Sequence, residues 1–369
     1  MGKKKVAKIL LCVFVAIIIG ASSVTAIYVN NALNRINYDN EPTKVAPEDV
    51  SDKQTTKALE SLDINDYELQ TDNPTKPEET TSSIAEIKKA ADEAIKKNLA
   101  NNGDVWRSKD VFNLLIIGYD AGDDEAIMFE GMKYPRADCI IVASINKKTE
   151  QISLVSLSRA TYVGIPGHGN QRINAAYSYG GPKMLIQVIE TNYKIKIDNY
   201  VACDFGGFED IVNAMNGIDI KMSATEASFA FNKETPAGTY KMNGSEALRY
   251  VRLRKTDSDR VRTGRQRKML TAMFNKAKSM SISEDVTMLN AILPYITTNM
   301  SKAQIVSKIS EMPSYKRYKI VEDIIPHQAV KLSNRDGKEV LIIDWNYNVS
   351  HLHESLYNGT QVEKISATD

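Results

Sequence analysis

Residues 136–159, RADCIIVASINKKTEQISLVSLSR, decide how the rest of the chain must fold. Two strand-like runs, Cys139–Ile145 and Gln151–Ser158, are separated only by the polar stretch Asn146–Glu150. A connection that short cannot hold a crossover helix, so the two runs predict an antiparallel hairpin. The run before them, VFNLLIIG at Val111–Gly118, is almost wholly apolar, as expected of a strand covered on both faces. YVACDF at Tyr200–Phe205 and VLIIDW at Val340–Trp345 read as further strands. Helical spacing separates several of them. Ile84, Ile87, Ala91, Ile95 and Leu99 recur behind a Ser83 cap and stop before Gly103, and helices are expected at 182–193, 208–216, 262–280, 284–297 and 301–312. That order predicts an α/β fold, a three-layer α-β-α sandwich around a central mixed sheet. No internal repeat is visible.

The flanks differ from this domain. With 369 residues, 43% hydrophobic and 25% charged, the chain can bury one large core or two small ones. Residues 1–30 carry no acidic group, and the uncharged run Ile9–Val29 is long enough to cross a bilayer. Lys3, Lys4, Lys5 and Lys8 precede it, which places the N-terminus in the cytoplasm and the rest outside, as a single-pass signal anchor in the cell membrane. A cleaved signal peptide is the competing reading, because Val24-Thr25-Ala26 resembles a cleavage site. Residues 31–83, rich in Asn, Asp, Glu, Thr, Lys and Pro, read as a flexible tether, and residues 84–369 as the folded domain. Cys139 and Cys203 both fall in apolar strand runs, so buried free thiols are weighed there against a disulfide.

One segment stands out by charge. Residues 249–270, RYVRLRKTDSDRVRTGRQRKML, hold nine Lys or Arg in a chain of formal net charge +1. Tyr250-Val251-Arg252-Leu253-Arg254 alternates, so an extended conformation would project Arg252 and Arg254 from one face about 7 Å apart. Arg262 and Arg265 stand at i, i+3 on one helix face. Planar guanidinium forks grip phosphate oxygens bidentately, and a solvated basic surface is the plain alternative. Asp120 follows the strongest strand, Asp138 opens the next two residues after Arg136, and Arg159 ends the third. Carboxyl ends of strands are where α/β sheets present ligand sites, and one or two carboxylates there suit Mg²⁺ beside phosphate oxygens.

With those residues in view, the chain resembles the LytR-CpsA-Psr family of cell-wall glycopolymer transferases. The resemblance rests on LLIIGYD ending at Asp120, residues 136–159, RINAAYSYGG at 172–181, VACDFGGFEDIVNAMNGIDI at 201–220, MNGSEALRYVRLRK at 242–255 and DRVRTGRQ at 259–266. It implies that Asp120 and Asp138 serve a Mg²⁺ or Mn²⁺ ion, and that Asp138, Arg159 and Arg265 are catalytic. It further implies that Arg136, Arg252, Arg254 and Arg262, with Asn174 and Tyr177, bind a polyprenyl pyrophosphate-linked glycan whose tail fills an apolar cleft. The implied reaction moves a glycopolymer such as teichoic acid or capsule to peptidoglycan and releases polyprenyl phosphate. The partners are then the lipid-linked glycan, peptidoglycan and the membrane. Three departures accompany the resemblance: Ala160 where the family usually has Asp after the arginine, the insertion AGDDEAIMFEGMKYP at 121–135, and Cys139 where Thr is usual. A lipid-pyrophosphate hydrolase and a non-catalytic lipid-glycan binder use the same residues. A transcriptional regulator would need a cytoplasmic domain and a helix-turn-helix pattern, neither of which the sequence offers, so no nucleic acid is expected.

Overall fold

Alternation along Val111–Tyr119 sends Leu114 and Ile116 into one hydrophobic cluster and Leu115 and Ile117 into another, so the strand is covered on both faces. The computed structural model describes residues 33–39, 67–69, 84–100, 104–119, 133–253, 259–279, 296–334 and 339–367. The first elements are β1 (Asn37–Tyr38), β2 (Tyr67–Leu69), α1 (Ile84–Ala100), β3 (Val105–Arg107), β4 (Val111–Tyr119), β5 (Ala137–Asn146) and β6 (Gln151–Leu157). They are followed by β7 (Tyr162–Ile165), β8 (Gly169–Arg172), α2 (Asn174–Tyr193), β9 (Asn199–Asp204), α3 (Phe205–Ala214), β10 (Ile218–Met222), α4 (Ala224–Phe231) and β11 (Gly238–Met242). Next come α5 (Gly244–Arg252), α6 (Asp259–Ser279), β12 (Thr297–Thr298), α7 (Lys302–Tyr315) and β13 (Lys319–Ile325). The chain closes with β14 (Ala329–Asn334), β15 (Glu339–Ile343), α8 (Trp345–Tyr357) and β16 (Glu363–Ile365).

Seven strands build the main sheet in the order β1-β12-β9-β4-β5-β6-β13. β4, β5 and β6 are successively antiparallel, while β9 runs parallel to β4 and β13 parallel to β6, so the sheet is mixed as expected. The β5–β6 hairpin is the one its short connection predicts. Residues of α1, α2 and α8 complete one hydrophobic cluster and residues of α3, α5 and α6 the other, giving a helical layer on each face. β4, β6, β9 and β13 all end at the edge where β5 begins. This rim carries a β-bulge: Gly118 pairs with Cys139 but Tyr119 with Ala137, so Asp138 is the extra residue. The bulge inverts the alternation, and Ala137 joins the cluster of Ile140 and Val142 instead of that of Cys139 and Ile141.

Several expectations change. Residues 250–252 are not extended but end α5. Asn243 caps that helix through the Glu246 N–H at 3.0 Å, and its own N–H donates to Glu246 Oε2 at 2.8 Å, a reciprocal pair that commits the chain to helix well before Arg252. Gly244 opens the helix because a side chain there would meet the Glu209 backbone at 2.2 Å. Val251 and Leu253 are buried even so, since helical spacing serves the core here as well. The expected helix at 284–297 falls mostly outside the described residues, and Thr297 itself belongs to β12. Residues 33–39 and 67–69, expected in the tether, pair with β12 and β14 respectively. Val340–Ile343 is a strand, but of a separate three-stranded sheet. The apolar run Ile9–Val29 lies outside the described residues, among which no helix is long and apolar enough to cross a membrane. Cys139 and Cys203 are buried free thiols. Both pair with Gly118 from opposite sides, so two interstrand spacings, about 10 Å, part their backbones, beyond the ~7 Å reach of a disulfide.

At the other edge, burial pushes the Glu190 carboxyl up to about 7, against the pull of Lys196 and the Ile197 N–H, which donates at 2.9 Å. Its ionised form is disfavoured in the fold, so the cost is absent below the unfolded value of 4.5, grows as pH rises, and is complete above about 7. His353, pushed down to about 4 mainly by burial, works in the opposite direction between about 4 and 6.5, so the wild type alone would show a muted slope. Glu190→Gln should therefore gain stability relative to wild type by about 3 kcal/mol between pH 5 and pH 8. Chemical denaturation at both pH values measures it, and a pH-independent difference would remove Glu190 as the source.

Candidate functional site

The rim holds some of the charged residues that the sequence marks. Asp138, placed by the bulge, forms an ion pair with Arg159 at the end of β6, and both side chains are about three-quarters or more buried. The Arg159 carbonyl accepts the Asn174 N–H at 3.4 Å, joining the start of α2 to the same point. Asn174 is 3% exposed and Ser178 fully buried, yet Asn174 Oδ1 and Ser178 Oγ have no hydrogen-bond partner. Both residues lie in the first turns of α2. Arg136 lies close enough to Tyr179 that its charge opposes the rise burial imposes on that phenol. Tyr177 stacks on Tyr119 at 5.2 Å, and Tyr134, from the insertion, leans on it at 5.8 Å. Burial first, then the neighbouring phenols, pushes Tyr177 far above the ordinary tyrosine value, so it stays a neutral hydroxyl.

The arginine segment divides. Arg252, exposed at the end of α5, lies over the Phe205 ring at 4.8 Å, beside the end of β9. Arg254 and Asp120 lie outside the described residues, as do Asp124 and Glu125. Arg262 and Arg265 do share α6 and are 3% and 4% exposed. Arg265 Nε donates to Glu226 at 2.9 Å and Nη1 to the Leu253 carbonyl at 3.0 Å, fastening α6 to α4 and α5. Burial would raise Glu226, but the Ser223 N–H and the Arg265 guanidinium outweigh it and hold the carboxyl below its ordinary value. Two further arginines went unnoticed in the sequence. Arg267 donates to Ser156 Oγ at 2.7 Å on β6, and Arg260 to the Pro326 carbonyl at 3.4 Å beyond β13. β13, KIVEDII, was not expected from the sequence, because its apolar residues fall in adjacent pairs, Ile320-Val321 and Ile324-Ile325, and show no strand alternation.

Ala160, where the family usually has Asp, is 5% exposed, with its carbonyl accepting the Leu341 N–H. Asp138 is thus the carboxylate that the described residues place between β5 and β6 at the rim. No group of three or more His, Cys, Asp or Glu gathers among the described residues to hold a metal ion. A hard divalent cation needs only one or two carboxylates when phosphate oxygens complete its shell, and Asp138 fits that donor type.

The Glu226–Arg265 pair sets a structural test. Glu226→Ala leaves the buried Arg265 cation without its carboxylate and should cost about 3 kcal/mol of folding stability. Equilibrium unfolding reads this, and a loss under about 0.5 kcal/mol would mean that the pair holds nothing together.

Known proteins match along this frame. The LytR_cpsA_psr family model matches residues 75–354. The chain is 35% identical over 179 residues to the polyisoprenyl-teichoic acid–peptidoglycan teichoic acid transferase TagT of Bacillus subtilis, covering 47% of this chain and 55% of that protein. It is 34% identical over 198 residues to the transferase TagU of Enterococcus faecalis, covering 53% and 63%. The chain therefore spans less than two thirds of these relatives' length. A solved structure, TagT bound to LI-WTA, superposes with a TM-score of 0.54 at 27% identity, covering 67% of this chain and 91% of that one. The family model takes in most of the chain, including every strand of the main sheet except β1, together with the rim: this protein belongs to the LytR_cpsA_psr family.

Proposed function

We propose that this protein is a membrane-anchored phosphotransferase that moves a polyprenyl pyrophosphate-linked glycopolymer, of the teichoic acid class, to peptidoglycan. The observation that carries the reading is the Asp138–Arg159 pair at the C-terminal rim of the sheet, in a member of a family whose relatives are named for this transfer. The apolar run Ile9–Val29 is the anchor, with the domain outside the cytoplasm.

In the proposed reaction an acceptor sugar hydroxyl attacks the phosphorus nearest the glycan. The new P–O bond forms as the bridging P–O–P bond breaks, and polyprenyl phosphate leaves with the electron pair. Arg136, Arg159 and Arg252 meet the pyrophosphate oxygens together with Arg254, whereas Arg262 and Arg265 are buried on α6 and Arg265 holds that helix to Glu226 and Leu253 O. Asp138 keeps the Arg159 fork in one orientation, so little reorganisation is needed as charge shifts to the leaving oxygen. Asn174 and Tyr177 offer neutral hydrogen-bonding groups beside it. Asp138 is also the proposed acceptor of the hydroxyl proton. Such transfers need little help from a base because most of the acceleration comes from positioning and charge stabilisation. Asp138 and Asp120 would hold Mg²⁺, or Mn²⁺ in its place, which supplies further neutralisation of the phosphate oxygens.

Purified protein given lipid-linked glycan, with and without peptidoglycan, tests the reading. Transfer should require peptidoglycan, whereas equal release of polyprenyl phosphate in both arms would make the protein a hydrolase. Arg159→Lys should lose about tenfold to a hundredfold in turnover, since one charge-assisted hydrogen bond is worth about 1.5–3 kcal/mol. Unchanged turnover would return Arg159 to a structural role. Excess chelator should stop transfer while leaving the fold intact by circular dichroism, and full activity in chelator would remove the metal from the proposal.

A further inference from the structure

We infer that residues 33–39 clamp the domain to its own anchor so that the rim of the sheet faces the bilayer. The inference rests on the anchoring proposed above, and its first support is the direction of the outermost strand. β1 is parallel to β12, β12 is antiparallel to β9, and β9 ends at the rim, so β1 runs away from the rim. Asn37 stands level with Thr297 and, across it, with Ala202, two residues or about 7 Å short of the rim at Asp204. Leu33–Ile36 therefore enters from the rim side.

This segment is fastened, not draped. Leu33 and Ile36 are 4% and 6% exposed within the cluster under α3 and α6. The Asn37 N–H donates to Ile296 O and the Asp39 N–H to Thr298 O, each at 2.9 Å. The Tyr200 hydroxyl donates to Asp39 Oδ2 at 2.7 Å, and Lys302 bonds Asn34. The apolar run ends at Val29, four residues before Leu33, and four residues span at most about 14 Å. A tether that short, joined to a docked strand, cannot let the domain turn its rim away from the membrane.

The surface chemistry of the rim is an independent support. Five large apolar residues are exposed among the described ones, and four lie there: Tyr134 (42%), Val261 (44%), Val330 (42%) and Tyr347 (36%). Tyr134 precedes β5, Val261 opens α6 beside Pro326, Val330 follows the end of β13, and Tyr347 lies in the first turn of α8, where the neighbouring Asn348 accepts the His327 N–H just beyond β13. Val306 on α7 is the exception. Singly exposed apolar residues need no explanation, but their collection at one edge does. Arg252 and Arg260 are exposed at the same edge. Tyrosine, aliphatic groups and arginine together suit the boundary between anionic headgroups and acyl chains. A rim so placed would meet a lipid-borne pyrophosphate at headgroup depth.

The test uses the full-length protein in vesicles of phosphatidylcholine and phosphatidylglycerol without substrate, so it reads orientation and not transfer. An environment-sensitive dye is placed on Y134C, V261C or Y347C at the rim, or on K148C or K364C at the opposite edge, with Cys12 replaced by Ser. Nitroxide lipids should quench the rim labels and spare the other two. Equal quenching at both edges, quenching of the opposite edge, or rim quenching that appears only when proteins crowd on the vesicle would overturn the inference, the last pointing to self-association. A flexible Gly-Ser insertion between Asn31 and Ala32 should abolish the difference between the edges, and a difference that survives it would refute the clamp. Loss of transfer in the separate assay bears on the proposed reaction and leaves this result standing.

Discussion

Everything at the rim depends on the ion pair between Asp138 and Arg159. Its two side chains come from adjacent antiparallel strands, and they meet because one extra residue in β5 re-aims Asp138 opposite Gly118 and Tyr119. Neither charge is well solvated, so each needs the other, and removing one would strand its partner. The pair also fixes the backbone around it. The Arg159 carbonyl holds the first residue of α2, and the neighbouring Ser158 N–H donates to Ile325 O at the end of β13. The ion pair and these backbone bonds together join three elements that face the same space.

The arginine run shows how one segment serves both scaffold and site. Arg265 and Arg267 are buried and committed to Glu226, Leu253 O and Ser156, and they fasten α6 across the sheet. Burial pulls the Arg267 guanidinium below its ordinary value, with Glu322 and Asp323 opposing, a cost that a solvated basic face would not carry. Arg252, by contrast, is exposed, with the Phe205 ring beneath it. The scaffold arginines carry no less charge than the exposed one, but their donors are already directed at protein acceptors. Charge density in the sequence therefore does not separate arginines buried in the scaffold from those at the surface.

Much of the fold was legible because its signals were local. The Asn146–Glu150 connection forced the hairpin, and the continuous apolar runs of β4 and β5 announced a sheet covered on both sides. What failed depended on signals that apolar periodicity does not carry: caps close by in two cases and partners far along the chain in another. Alternation over Tyr250–Arg254 looked extended, although Asn243 and Glu246 had already set a helix by a capping pair that the pattern did not weigh. Residues 33–39 looked like linker because two burying residues, Leu33 and Ile36, carry little periodic signal, and their partners lie beyond residue 296. α8 was hidden behind the strand-like VLIIDW, where Asp344 serves as its cap, accepting the Tyr347 N–H at 3.0 Å. At the site, Asp138, Arg159, Arg136 and Asn174 were marked in sequence and meet at the rim, whereas the bulge that aims Asp138 could not be read from either strand alone.

Recognition of a lipid-borne pyrophosphate by oriented guanidinium groups at the rim is the step of the proposed function on which the rest depends. The most direct measurement compares binding of a short-chain prenyl pyrophosphate and the corresponding monophosphate, by calorimetric titration of wild type and Arg159→Gln. Wild type should strongly prefer the pyrophosphate, and the variant, shown to be folded by circular dichroism, should lose this preference. Equal affinity of the wild type for both ligands, or an undiminished preference in the variant, would contradict it.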